Sequence, residues 1–167
     1  HGDVLGDHQL LLKGPIHYRG LTRVPLIWAD THASASQRSE ALCQTIDLAP
    51  TILDRAGVAP WNGIQGQSLL PLLSGQMKNV RQDLLIEEEG QRYYMGFTER
   101  VRMRSLLYGL YRISVYDGVE WGEMYDRSTD PEELNNLWNS PAHQGLRAHM
   151  TERMLRRMMA LAETSPY

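Results

Sequence analysis

The chain has 167 residues, 42% hydrophobic and 22% charged, with a net charge of −3; that is enough for one domain with a core, and it carries no basic excess to attract nucleic acid. No apolar run approaches the ~18 residues of a membrane span, and no basic-then-apolar leader opens the chain. One cysteine, Cys43, excludes an internal disulfide and leans toward a reducing, cytoplasmic setting.

The first fourteen residues gather His1, Asp3, Asp7, His8 and Lys13 between glycines at 2, 6 and 14, the pattern of a loop that presents polar groups. Starting on His-Gly-Asp, in mid-motif, the chain reads as a segment of a longer protein. Val24 to Trp28 is predicted to be a strand, with Pro25 confining it to an edge. Residues 30–38 read as a surface loop with His32 solvated, and Ser39 to Ile46 is too short a pattern to assign. A helix is predicted from Asp47, as its cap, to Gly57, with Leu48, Ile52, Leu53 and Ala56 as an apolar face for a sheet to cover. After a turn at Gly63 to Gly66, Ser68 to Gly75 reads as a short leucine-rich helix, and Leu84 to Glu88 as a strand. That strand runs into Glu87-Glu88-Glu89, taken as solvated because neighbours on a strand point to opposite faces.

From Arg92 to Asp126 the aromatic and β-branched runs Tyr93 to Phe97, Val101 to Ser105, Tyr108 to Tyr116 and Trp121 to Tyr125 predict an antiparallel meander of three or four strands. Ser128 to Glu133 reads as a turn and helical start. Pro141 opens a last helix with a stripe at Leu146, Met150, Met154, Met158 and Leu161 that reads as core or domain contact. The fold class is therefore α/β: an α/β part over residues 1–88, then a small antiparallel sheet with a C-terminal helix over 89–167.

By residue type alone, the opening segment allows a metal site, an anion site or neither. Order adds to this. His1-Gly2-Asp3, Leu5-Gly6-Asp7-His8, Lys13-Gly14, Arg23-Val24-Pro25-Leu26-Ile27, Ile46 to Gly57, Gln65 to Gly75, and Met124-Tyr125-Asp126 with Asp130-Pro131-Glu132-Glu133 and Asn136-Leu137 resemble, in sequence and spacing, the later part of the sulfatase family within the alkaline phosphatase superfamily.

That resemblance implies the C-terminal part of an alkaline-phosphatase-like α/β fold and cleavage of small-molecule sulfate esters. It implies that His1 is a metal ligand, one of an Asp-His pair, and that Lys13 contacts the sulfate group; His8 matches a histidine of the subgroup with this Leu-Gly-Asp-His pattern and joins Lys13 as a catalytic candidate. Asp3 and Asp7 match positions that shape the loop, and Arg23 one that anchors it. The implied cofactors are a divalent metal and a formylglycine nucleophile. Hard oxygen ligands suit calcium, while a histidine in the set leaves manganese open. Cys43-Gln44-Thr45-Ile46 does not match the formylglycine motif, so Cys43 reads as buried packing and the nucleophile is expected in an N-terminal part. The same scaffold would also suit a phosphate or phosphonate ester. As an isolated fragment the chain is expected to be inactive, with a non-catalytic scaffold or homo-oligomerisation module as the remaining reading.

Overall fold

The computed structural model describes residues 1–31, 37–90 and 98–162. His32 and the run Tyr93 to Phe97 lie outside them. The helices are α1 (Arg19–Thr22), α2 (Leu48–Arg55), α3 (Leu70–Leu73) and α4 (Gln144–Ala160), and the strands β1 (Asp83–Glu89), β2 (Arg102–Tyr108), β3 (Tyr111–Tyr116) and β4 (Gly122–Asp126). The architecture is mixed α/β, and its sheet runs in the order β1-β2-β3-β4. The described residues divide into two compact units, one from His1–Leu26 with Leu85–Arg157, the other from Ile27–Leu84 with the chain from Met158 onward.

In the first unit β2, β3 and β4 form an antiparallel meander. Gly118, at φ 78°, turns the chain between β3 and β4. Alternation sends Leu106, Ile113 and Met124, all 0% exposed, to one face. On that face α4 meets the sheet: Arg153 lies 4.0 Å over the Tyr108 ring and His149 is tilted against it, while Met150 and Met154 of the predicted stripe are buried. Burial of each such side chain contributes roughly 1.5–3 kcal/mol. Gly122 is required here, because an added Cβ would meet the Trp138 ring at 2.6 Å.

The opposite face is polar and equally buried. Ser105 pairs with Ser114 and Ser114 with Glu123 across the three strands, and Arg112 lies two residues from Ser114 on the same face. Ser105 and Ser114 are 0% exposed and Arg112 is 1%. The predicted acidic cluster divides as its alternation requires: Glu87 and Glu89 pair with Arg104, and Glu88 with His17.

Three predicted elements differ. Val24 to Trp28 forms no strand among the described residues, because a strand exists by its ladder and this segment pairs with none of β1 to β4; the helical element here is α1, just upstream. Ser128 to Glu133 makes the turn but starts no helix. The Asp130 carboxylate accepts the N–H groups of Leu134 and Asn135, and Glu133 takes a left-handed φ of 58°, which closes a turn. Cys43 is half-buried rather than buried, and burial raises its thiol pKa.

In the second unit α2 and α3 form where expected, with Gly57 and Gly75 at positive φ after them. The predicted apolar face of α2 is only partly covered, since Ile52 is 57% exposed; Pro50 and Thr51 are the buried positions. Asp47 does not cap α2 with its side chain. It is 0% exposed, accepts the N–H groups of Gln44 and Gln67, and pairs with the Arg81 guanidinium. Burial alone would raise this carboxyl, but Arg81 and the two N–H groups outweigh it and hold the pKa below the ordinary value. A carboxylate depressed in the folded state adds stability above its unfolded pKa of about 4 and loses it as pH falls below that. Asp47→Asn should therefore flatten the acid limb of the urea-unfolding profile below pH 4, and an unchanged slope there would remove Asp47 as its source.

Candidate active site

The opening segment is a tight loop with a 3₁₀ turn at Asp7–Gln9. Leu5, His8 and Gln9 all have positive φ, at 48°, 54° and 61°, beside Gly6 at 109°. Non-glycine residues rarely adopt this region, so the surroundings must hold it. The Asp3 carboxylate accepts the Val4 N–H, and Val4 is buried. Gly2 donates its N–H to Leu21 of α1 at 2.9 Å, in a contact so close that a Cβ on Gly2 would fall 2.0 Å from the Gly20 carbonyl oxygen.

Of the three candidate site residues, His8 is the one fixed by its side chain. Its ring stacks on Tyr18 with centroids 3.6 Å apart and planes 9° from parallel. Among the described residues the His8 ring has no hydrogen-bond partner, which leaves both nitrogens available. Lys13 is exposed and has no ion-pair partner among those residues. His1 is exposed as well, with Nδ1 3.1 Å from the Gly2 carbonyl. No three His, Cys, Asp or Glu side chains among the described residues come together in a way that could hold a metal ion. The described residues therefore complete no metal site by themselves.

Beneath this loop, three consecutive residues engage the sheet's polar face. His17 Nδ1 meets Ser105 Oγ at 2.8 Å, and its Nε2 lies 3.3 Å from Glu88. Tyr18 donates its hydroxyl to Glu123 Oε1 at 2.9 Å, and Arg19 donates its backbone N–H to Glu133 Oε2 at 2.9 Å. Arg112 joins these contacts: its Nε donates to Glu133 at 2.8 Å, and its Nη1 to Glu123 at 3.1 Å and to Ser114. The guanidinium also lies 5.1 Å from the Tyr18 ring centroid and 4.9 Å from that of Tyr125. Burial would lower the Arg112 pKa, but Glu133 and Glu123 raise it beyond the ordinary value, so it stays charged. Burial, then the Glu123 charge, pushes the Tyr18 phenol far up, which keeps it a hydrogen-bond donor, and burial leads in taking Tyr125 up to about 12.

Sequence reasoning missed this set. The strand reading assigned no role to Ser105, Arg112, Ser114 and Glu123; the usable signal was a basic residue inside a strand with Glu123 and Glu133 downstream. Arg23, the predicted anchor, follows α1 and is exposed. With Arg19, Arg127 and Pro131 it lines an open cleft of about 250 Å³.

Residues 6–160 match the family described as N-sulphoglucosamine sulphohydrolase, C-terminal. The chain belongs to the sulfatase family. It is 29% identical over 151 residues to a Delta 4,5-hexuronate-2-O-sulfatase of Bacteroides thetaiotaomicron, covering 89% of this chain and 31% of that protein. To the multifunctional alkaline phosphatase superfamily protein PehA of Trinickia caryophylli it is 32% identical over 157 residues, covering 87% and 30%. Among solved structures, a 2-O GAG sulfatase superposes with a TM-score of 0.85 at 26% identity, covering 96% of this chain and 35% of that one. The chain thus spans about a third of the length of these relatives. His8 and Lys13 fall inside the matched family segment, and His1 precedes it. Among the described residues no helix of this sulfatase segment is long and apolar enough to cross a membrane.

Proposed function

We propose that the chain forms one side of the active site of a metal-dependent hydrolase of small-molecule sulfate esters, with residues 1–88 as the C-terminal part of its catalytic domain. The observation that carries this reading is the family match over residues 6–160, which takes in His8 and Lys13 on their glycine-bounded loop. Cleavage builds negative charge on the transferred group and the leaving oxygen. Lys13, an exposed point charge, stabilises the anionic sulfate group, and His8, with both ring nitrogens available, would give a proton to the leaving oxygen as its bond to sulfur breaks. His1 would hold one position on a divalent cation, calcium in preference to manganese, with the remaining ligands supplied by the rest of the complete protein. That cation would supply charge stabilisation, and a formylglycine carried elsewhere in the complete protein would supply the nucleophile.

Likeness to a multifunctional alkaline phosphatase superfamily protein favours a phosphate or phosphonate ester as the second reading. In the complete protein, a panel of aryl sulfate, phosphate monoester, phosphate diester and phosphonate substrates separates the two. Aryl sulfate should turn over fastest, with activity lost on chelation and restored by calcium; exclusive phosphonate turnover would overturn the sulfatase reading. The chain by itself should turn over none of them.

A further inference from the structure

We propose that Tyr18 is a positioning residue for His8, and that the Glu123–Arg112 pair holds Tyr18 in place for this purpose. The proposal rests on His8 acting in the reaction. His8 sits at φ 54° and ψ 24°, a left-handed conformation that a side chain makes unfavourable, and among the described residues no hydrogen bond fixes its ring. What fixes it is the Tyr18 face, 3.6 Å away and nearly parallel. A stacked partner sets the plane of an imidazole while leaving both nitrogens available, which a hydrogen-bonding partner would not.

Tyr18 is itself held at both ends. Its hydroxyl donates to Glu123, and Glu123 accepts from Arg112, whose guanidinium also lies over the Tyr18 ring. Arg112 is 1% exposed and held a second time by Glu133, so it has no freedom to follow a shifting ring. The neighbouring residues are tied as well, His17 to Ser105 of the sheet and Arg19 to Glu133 in the turn after β4, which limits movement of Tyr18 along the backbone. Packing alone would account for a half-buried tyrosine. A hydroxyl hydrogen-bonded to an ion-paired carboxylate, beneath a stacked imidazole on a strained loop, is an arrangement that also fixes orientation.

The test uses the complete protein carrying His8→Ala, Tyr18→Leu or Tyr18→Phe, with kcat and KM for an aryl sulfate across pH and the NMR resonances of the His8 ring. In the unsubstituted protein the stack should shift the His8 ring protons upfield, and an unshifted resonance overturns the proposal without any variant. Tyr18→Leu should move that resonance to its unstacked position and lower kcat roughly tenfold to a hundredfold with little change in KM. Tyr18→Phe, which keeps the ring but loses the bond to Glu123, should give a smaller upfield shift and a kcat between those of Tyr18→Leu and the unsubstituted protein; full retention of both would show that Glu123 and Arg112 do not hold the ring. If His8→Ala loses turnover while Tyr18→Leu keeps it, positioning fails and the functional reading of His8 stands. Full turnover by His8→Ala would remove the functional reading of His8, and this proposal with it.

Discussion

Replacing Arg112 by methionine should destabilise the chain by roughly 3–5 kcal/mol, the scale expected when one partner of a buried ion pair is removed and the others stay charged. Two carboxylates would be stranded: Glu133, 2% exposed, and Glu123, 7% exposed, both of which take donors from this guanidinium. A carboxylate buried without its cation must shed its charge or recruit water, and either change disrupts the face on which His17 to Arg19 sit. Arg112→Lys should recover only part of the loss, because an ammonium cannot reproduce the fork that reaches Glu133, Glu123 and Ser114 together. Urea unfolding followed by far-UV circular dichroism reads the effect. A loss below about 1 kcal/mol for Arg112→Met would mean that the network does not hold this face together.

Lys13→Ala should act in the opposite way, sparing stability and costing activity. Lys13 is exposed and unpaired among the described residues, so its removal should shift stability by no more than about 0.5 kcal/mol. In the complete protein, kcat/KM toward an aryl sulfate should fall roughly 10²–10³-fold, the cost of removing one group aimed at developing anionic charge. Lys13→Arg should retain part of the activity, since the charge survives while its geometry changes. If Lys13→Ala kept kcat/KM within about threefold, the charge on this loop would not be meeting the ester.

The sequence made much of this fold legible where local chemistry decides it. Pro141 marked a real boundary, and Met150 and Met154 are buried as their spacing implied. Val24 to Trp28 failed because β-propensity says nothing about whether a partner strand is present. Asp47 was legible as a helix-start residue, but its pairing with Arg81 joins positions 34 apart and leaves no local pattern. The polar face escaped for a related reason. Alternation tells apolar from polar sides of a strand, but it does not reveal that the polar side will be covered, and here the cover is a distant segment of the chain. In the site, the order of residues singled out His8 and Lys13, whereas the stack of His8 on Tyr18 needed coordinates.

That distance also bears on how the chain comes together. The bonds from His17, Tyr18 and Arg19 reach partners 88, 105 and 114 residues away. The turns joining β2, β3 and β4 are short, so the meander can form early from local contacts, whereas the opening segment must close a very long gap before its bonds to the sheet compensate the lost entropy. During synthesis from the N-terminus the segment carrying His8 and Lys13 emerges before the strands that hold it, and its last tie, from Arg19, waits until Glu133 has been made. The part of the chain that carries the proposed chemistry is thus translated before its support and ordered after it.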